Sequence, residues 1–400
     1  MRGPHNILRL IRTGATLERT GAMPVILNAL DAPRTLKFAA RFIVWPFQFL
    51  GRRGDQSLPP APRALTAMGP AYIKFGQILS TRPDVVGPEL AEQLRVLQDR
   101  LPPFSTDVAK QSFKSEIGLD ADDVFSDFSE PVAAASIAQV HRGKLKDNGQ
   151  SVAIKVLRPE IERAFQKDLD TFYFAARLVE FVSPKSRRLK PMDVIAHFDG
   201  VVRGELDLRL ESASASEFLA NIKEDKGFSV PSVNWSLSSR RVMTLDWADG
   251  VPMGDVDALA AAGHNLSELG DRVLHMFLNH ALRDGFFHAD MHQGNLKVSS
   301  SGDIVAFDFG IMGHIDEYTR RVYAEILFGF IKRDYKRVAQ VHFEAGYVPQ
   351  DQDVDEFARA LRAVGEPIFG MDASNISMGR LLTYLFEVTE RFGMETRTEL

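Results

Sequence analysis

A lysine sits at the centre of a short apolar run, Val152-Ala-Ile-Lys155-Val156. The run is too short for a helix and rich in β-branched residues, so it reads as a strand. Burying an unpaired ammonium in such a strand is costly. A fold that accepts this segment must therefore leave Lys155 at an edge or meet it with a counter-charge. Upstream, Ala138–Leu145 alternates and Asp147-Asn148-Gly149 is a turn signal. The two strands together predict a β-hairpin.

Two further segments carry chemistry. Phe287-His288-Ala-Asp290-Met-His-Gln-Gly-Asn295 separates Asp290 and Asn295 by four residues, the D-x-x-x-x-N spacing of a kinase catalytic loop. There the carboxylate orients a nucleophile and the amide oxygen ligates Mg²⁺. Val305-Ala-Phe-Asp308-Phe-Gly310 places a carboxylate directly after an apolar strand, as a metal-binding D-F-G does. Each motif alone is weak. Lysine strand, catalytic loop and D-F-G in that order predict an α+β, protein-kinase-like two-lobed fold with an N-terminal helical extension, binding ATP and Mg²⁺. The 13-residue step from Asn295 to Asp308 fits a hairpin joining the two metal ligands, Asn295 and Asp308.

A kinase lysine needs a glutamate on a helix. Glu205, Glu211 and Glu217 lie in one acidic helical stretch; Glu211 is the chosen partner, although periodicity does not rank the three. The phosphate loop departs from G-x-G-x-x-G. Its place is taken by Val132, Ala133, Ala134, Ala135, Ser136, Ile137, Ala138, Gln139 and Val140. Alanine does not visit glycine's positive-φ conformations, so a stiffer loop is expected, with Ser136 and backbone amides as candidate phosphate contacts.

The rest of the chain reads as mostly helical. Helices are expected near Pro70–Thr81, from Pro88 along a Leu90, Leu94, Leu97, Leu101 stripe, over Lys110–Ile117, Glu160–Val182 and Met192–Ile222, and over Thr319–Ile331. Val242–Leu245 and a pair around Leu296–Phe307 read as strands. Cysteine is absent, which removes disulfides, thiolate metal sites and a cysteine nucleophile. Charge is uneven. Residues 1–63 hold ten Lys and Arg against three acids, +7, and the remaining 38 bases and 50 acids give −12. A basic leader on an acidic body points to an anionic lipid surface, and the net charge of −5 argues against a uniformly basic nucleic-acid binder, so no nucleic-acid partner is expected. Phe38–Leu50 contains Arg41 and Pro46 and is too short to span a membrane. It reads as an interfacial or core amphipathic segment, and Gly51–Pro62 as a linker.

Ala135-Ser-Ile-Ala-Gln-Val-His141, Lys74-Phe-Gly76-Gln77, the Glu205-Leu-Asp207 pair and Phe287-His-Ala-Asp290-Met-His resemble the UbiB family of atypical kinase-like proteins, over Leu65 to the C-terminus. The Lys-x-Gly-Gln motif is absent from ordinary kinases. The resemblance implies a regulatory helix carrying Lys74, Gly76 and Gln77 near Glu205 and Asp207, over the active site. It implies ATPase activity supporting ubiquinone biosynthesis rather than protein phosphorylation in trans. It also implies partners among quinone precursors and other ubiquinone-biosynthesis proteins, at the cytoplasmic face of a bacterial inner membrane. Many members carry C-terminal membrane helices; this sequence ends at Thr398-Glu-Leu400 without one. Independently, Ala289 replaces the arginine of H-R-D and no A-P-E follows Gly310. The expected division is 1–64, basic segment and linker; 65–118, helical extension; 119–248, N-lobe; 249–400, helical C-lobe. Lys155 would hold the α/β-phosphates, oriented by Glu211, with Asp290 as catalytic carboxylate. The rival readings are a small-molecule phosphotransferase and a non-catalytic, nucleotide-gated scaffold.

Overall fold

The computed structural model describes residues 5–29, 33–80, 86–97, 103–182, 191–371 and 375–394. The Arg82-Pro83-Asp84 break, the Leu101 end of the leucine stripe and the Thr398–Leu400 terminus lie outside them. Residues cluster into two compact units, Met1–Ala213 with Pro231–Ala248, and Ser214–Val230 with Asp249–Leu400.

The first unit opens with helices: α1 (His5–Thr20), α2 (Ala22–Ala29), α3 (Arg34–Val44), a 3₁₀ turn over Trp45–Leu50, α4 (Pro60–Met68), α5 (Pro70–Ser80), α6 (Pro88–Leu94), α7 (Thr106–Ile117) and α8 (Ala121–Val124). The turn-rich linker is shorter than expected, because Pro60–Pro62 open α4. Proline suits a first helical turn, where its missing N–H has no partner to lose. The linker is also held: Gly51 lies against α1, where a Cβ would come within 2.9 Å of the Thr16 backbone nitrogen and closer still to the Ala15 carbonyl.

A four-stranded antiparallel sheet follows, in the order β1 (Phe125–Ala134), β2 (Ala138–Leu145), β3 (Ser151–Leu157), β5 (Val242–Asp246). Along β3 the burial alternates. Val152, Ile154 and Val156 face a core shared with Ala109 and Phe113 of α7 and Phe125 of β1. Lys155 is on the opposite face, level with Val140 and Met243 on the flanking strands. It is therefore on a central strand, not at an edge.

Two long helices come next, α9 (Ile161–Val182) and α10 (Pro191–Glu205), and then α11 (Leu208–Asn221). The single helix expected over Met192–Ile222 is thus two. The Asp207 carboxylate accepts from the Arg209 backbone N–H at 3.2 Å and from its guanidinium at 2.9 and 2.6 Å. Such local side-chain bonding competes with the helical ladder and starts a new helix. Helix α5 packs on α9 and α10 through aromatic contacts: Tyr72 and Phe75 lie 4.7 and 5.2 Å from Phe172, and Phe75 lies 5.1 Å from Phe198.

The second unit holds a sheet ordered β4 (Phe228–Ser229), β9 (Ile304–Ala306), β8 (Leu296–Val298), β6 (Val251–Pro252). A separate antiparallel pair joins β7 (Phe286–His288) to β10 (Met312–His314). Helices α12 (Val256–Ala261), α13 (Leu266–Asn279), α14 (Glu317–Lys332), α15 (Tyr335–Glu344), α16 (Val354–Gly365) and α17 (Met378–Arg391) make up most of the remainder. Phe343, Phe357 and Phe392 sit in the apolar core of the last three.

No helix among the described residues is long and apolar enough to cross a membrane. In α3 and the turn after it, Phe38, Phe42, Trp45 and Phe49 are 75, 70, 69 and 73% exposed, so this amphipathic segment is not core.

The Gly51 contact is with backbone, which no rotamer change relieves. Gly51→Ala should cost about 1–3 kcal/mol of stability, read as a lower denaturant midpoint at unchanged m-value. An unaltered midpoint would contradict the packing described.

Candidate functional site

In the first unit, Lys155 Nζ donates to both oxygens of Glu211, at 2.6 and 2.9 Å. The side chains are only 18 and 10% exposed. Glu211 lies in the first turn of α11, where the helix dipole favours a carboxylate. Of the three glutamates weighed from sequence, Glu211 meets the strand lysine, while Glu205 pairs with Lys74 at 2.6 Å. The break at Leu206–Asp207 separates the two carboxylates onto two helices, one lysine each.

The Lys-x-Gly-Gln motif lies on α5. Gly76 is needed for close packing: a Cβ there would strike the ends of Leu65, at 2.5 Å, and Leu97. Gln77 donates to the Leu97 carbonyl at 3.1 Å. Asp207 is paired with Arg209.

The alanine-rich segment is mostly strand. Val132–Ala134 end β1 and Ala138–Val140 begin β2, leaving Ala135-Ser136-Ile137 as the turn. Arg158 pins this turn, donating through Nε and Nη2 to the Ala135 carbonyl at 3.1 and 3.0 Å, while its backbone N–H donates to the Ile137 carbonyl at 2.8 Å. Ser136 and Gln139 are 2 and 0% exposed. The Gln139 amide bonds both the N–H and the carbonyl of Phe104, at 3.0 and 3.1 Å, so it anchors the approach to α7. Val132 and Ala133 are the exposed members of the segment.

In the second unit, β7 delivers His288 to the start of the catalytic-type loop. His288 is buried, and its Nδ1 accepts from the Asp290 N–H at 3.1 Å. The proton must then be on Nε2, which donates to the Asp308 carbonyl at 2.6 Å. One neutral imidazole thereby ties the Asp290 loop to the Asp308 segment. Sequence reasoning left His288 without a role, although it stands two residues before Asp290. Asn295 Nδ2 donates to the Asp290 carbonyl and carboxylate at 3.1 and 3.3 Å. That commits the amide nitrogen and turns the amide oxygen to other use. Asp308 Oδ1 accepts from Gly310 N–H at 3.0 Å. Phe309 is buried against Phe218 and His288, at 5.8 and 5.9 Å. The β8–β9 hairpin, with Leu296 opposite Ala306, links Asn295 to Asp308.

Asp308 and Asn295 offer oxygen ligands only, which fits a hard dication such as Mg²⁺. Among the described residues, no group of three His, Cys, Asp or Glu side chains stands ready for a metal. A protein donor set this small suits Mg²⁺, which keeps waters and takes substrate phosphates as further ligands.

A profile of the ABC1 atypical kinase-like domain matches residues 96–342, and one of the UbiB helical domain matches residues 361–400. The chain belongs to the UbiB family. A relative named "Probable protein kinase UbiB" from Marinobacter nauticus is 40% identical over 84% of this chain, and one of the same name from Aliivibrio fischeri is 41% identical over 84%. The chain spans 62 and 63% of the lengths of these two relatives. A Klebsiella pneumoniae relative of that name is 40% identical over 91% of the chain and 68% of its own length. Among solved structures, the complex of Mycobacterium tuberculosis Rv3197 with erythromycin superposes with a TM-score of 0.51 at 22% identity, over 80% of this chain and 88% of that one. The α+β kinase-like fold read from the motifs is the fold observed.

Burial holds the His288 pKa below the ordinary histidine value, against the opposing pull of the Asp308 carbonyl. The unfolded ring takes up its proton near pH 6.5, the folded ring only at lower pH. The folded state thus binds fewer protons, so this stability is present above about pH 6.5 and lost as pH falls through the folded value. His288→Gln should lose about 1–3 kcal/mol at pH 7 and show a smaller drop in unfolding midpoint between pH 7 and 5 than the wild type. Equal drops would contradict a neutral, bridging His288.

Proposed function

We propose that this chain binds ATP with Mg²⁺ and hydrolyses it in support of ubiquinone biosynthesis at a membrane surface, without phosphorylating proteins in trans. The observation that carries this reading is the Lys155–Glu211 ion pair on a central strand. Glu211 holds the ammonium in one place, and Lys155 then presents its charge to the α- and β-phosphates. Asn295 and Asp308 hold the Mg²⁺. The metal, when bound, offsets phosphate charge and fixes phosphate geometry. Asp290 orients the attacking water or hydroxyl, with His288 and Asn295 fixing the loop that carries it. Val132–Val140 cover the nucleotide as a stiff hairpin end.

Two features of the second unit support the exclusion of peptide substrates. Ala289 leaves an activation-loop phosphate without its arginine. After Gly310, β10 begins at Met312 and α14 at Glu317, so little chain is left to position a peptide.

The membrane assignment rests on the +7 leader and on the exposed aromatics of α3 and its following turn, interleaved with Arg34, Lys37 and Arg41. Aromatic side chains with flanking cations suit a lipid interface. The relatives are bacterial, and the cytoplasmic face of the inner membrane is the proposed place, with quinone precursors and other ubiquinone-biosynthesis proteins as partners.

Asp308→Asn should abolish Mg-ATP turnover, measured as phosphate release; full turnover would sink the metal assignment. Lys74→Ala, which breaks the pair with Glu205, should change ATP or ADP affinity. Unchanged affinity for both nucleotides would remove α5 from nucleotide control.

A further inference from the structure

Away from the residues assigned to the nucleotide site, the first unit contains a cavity of about 250 Å³ among α1, α5, α9 and the chain after the 3₁₀ turn, whose lining includes Arg9, Arg12, Arg52, Tyr72 and Asp168. That is room for on the order of eight waters. Three guanidiniums against one carboxylate leave the lining at +2 when Asp168 is ionised.

Two of the arginines are held in place. Arg9 donates one nitrogen, Nη1, to the Lys167 carbonyl at 2.9 Å, and Arg52 donates Nη1 to the Ala67 carbonyl. Each keeps further N–H groups for a ligand, since a guanidinium has five. The backbone of Arg52 is fixed by its N–H bond to Thr16 Oγ1 at 3.1 Å and by the Gly51 contact with α1. Arg12 has no side-chain hydrogen bond or ion pair among the described residues. Asp168 likewise makes none, although Arg9 and Arg52 lie near enough to act on it. Burial pushes its carboxyl up to about 6 against their pull. None of the three guanidiniums forms an ion pair with Asp168 among the described residues, so the carboxylate does not consume their N–H groups. At its wall, Tyr72 and Thr13 bond hydroxyl to hydroxyl at 3.0 Å.

We infer that this cavity is a binding site for a phosphate group, gripped by the Arg9, Arg12 and Arg52 guanidiniums. Arginine forks match phosphate oxygens in pairs, and whichever of the Tyr72 and Thr13 hydroxyls accepts in their mutual bond keeps its own hydrogen as a neutral donor. Tyr72 stands two residues from Lys74 on α5, so an occupied cavity and the Lys74–Glu205 pair share one helix. The phosphate could be free, as in a small phosphomonoester, or borne by a lipid headgroup. The chemistry of the grip is the same in both.

The test is a titration of the full chain with inorganic phosphate and glycerol 3-phosphate by calorimetry, and a sedimentation assay with phosphatidylcholine vesicles doped with phosphatidic acid. Arg12→Gln is the main variant because no structural bond is lost with it. Asp168→Asn removes the negative charge. Arg163→Gln, whose side chain pairs with Glu160 outside the cavity, is the control. Arg12→Gln should weaken binding about tenfold, Asp168→Asn should tighten it about threefold, and Arg163→Gln should bind as wild type. This pattern with the soluble phosphates assigns a free phosphomonoester; the pattern with vesicles alone assigns a headgroup. Wild-type binding by Arg12→Gln in both assays, weaker binding by Asp168→Asn, or no saturable binding by the wild type would overturn the site.

Discussion

An ammonium on a central strand needs a counter-charge, and much of the first unit can be read as the means of supplying one. Alternation along β3 sends Ile154 and Val156 into the core and Lys155 to the other face. The carboxylate that meets it must arrive from a helix. Glu211 does so from the first turn of α11, a turn that exists because Asp207 captures the Arg209 N–H and ends the ladder of α10. Had α10 run on unbroken, Glu205 and Glu211 would belong to one helix. Separated, they serve two lysines, Lys155 on the sheet and Lys74 on α5.

Mostly buried pairs of this kind are poor sources of stability, because desolvation offsets much of the attraction. Their value is positional. The same holds in the second unit, where a neutral His288 joins Asp290 to Asp308 and the Asn295 amide nitrogen is occupied by Asp290. What Asn295 and Asp308 can offer a ligand is oxygen, which is the chemistry a hard cation takes.

Long periodic elements were legible in the sequence. The hairpin of β2 and β3 and the helix over Pro70–Ser80 carry their own signals, and the Asn295–Asp308 hairpin, with three-residue strands, is read from the spacing of the two motifs it joins. Strand β1 does not. Its pairing with β2 shifts register between Phe125 and Asp127 and twice more before Ala133, and each bulge breaks the two-residue period that would reveal a strand. β4, β6, β7 and β10 have two or three residues each, too few for any period. Within the site, Lys155, Asp290, Asn295 and Asp308 are marked by spacing, and Glu211 had rivals that only the α10–α11 break resolves. His288 acts through its ring tautomer, which no spacing encodes. The arginine cavity brings Arg9 and Asp168 together across more than a hundred residues, and no local pattern announces such a juxtaposition.

The central claim is that Lys155 and Glu211 act on the nucleotide as one unit. A double-mutant cycle on ATP affinity tests it directly, with Lys155→Met, Glu211→Gln and the double variant. If Glu211 works only by holding Lys155, the double variant binds ATP no more weakly than Lys155→Met alone. Losses that add in full in the double variant would mean that the two residues contribute independently, and would contradict the account.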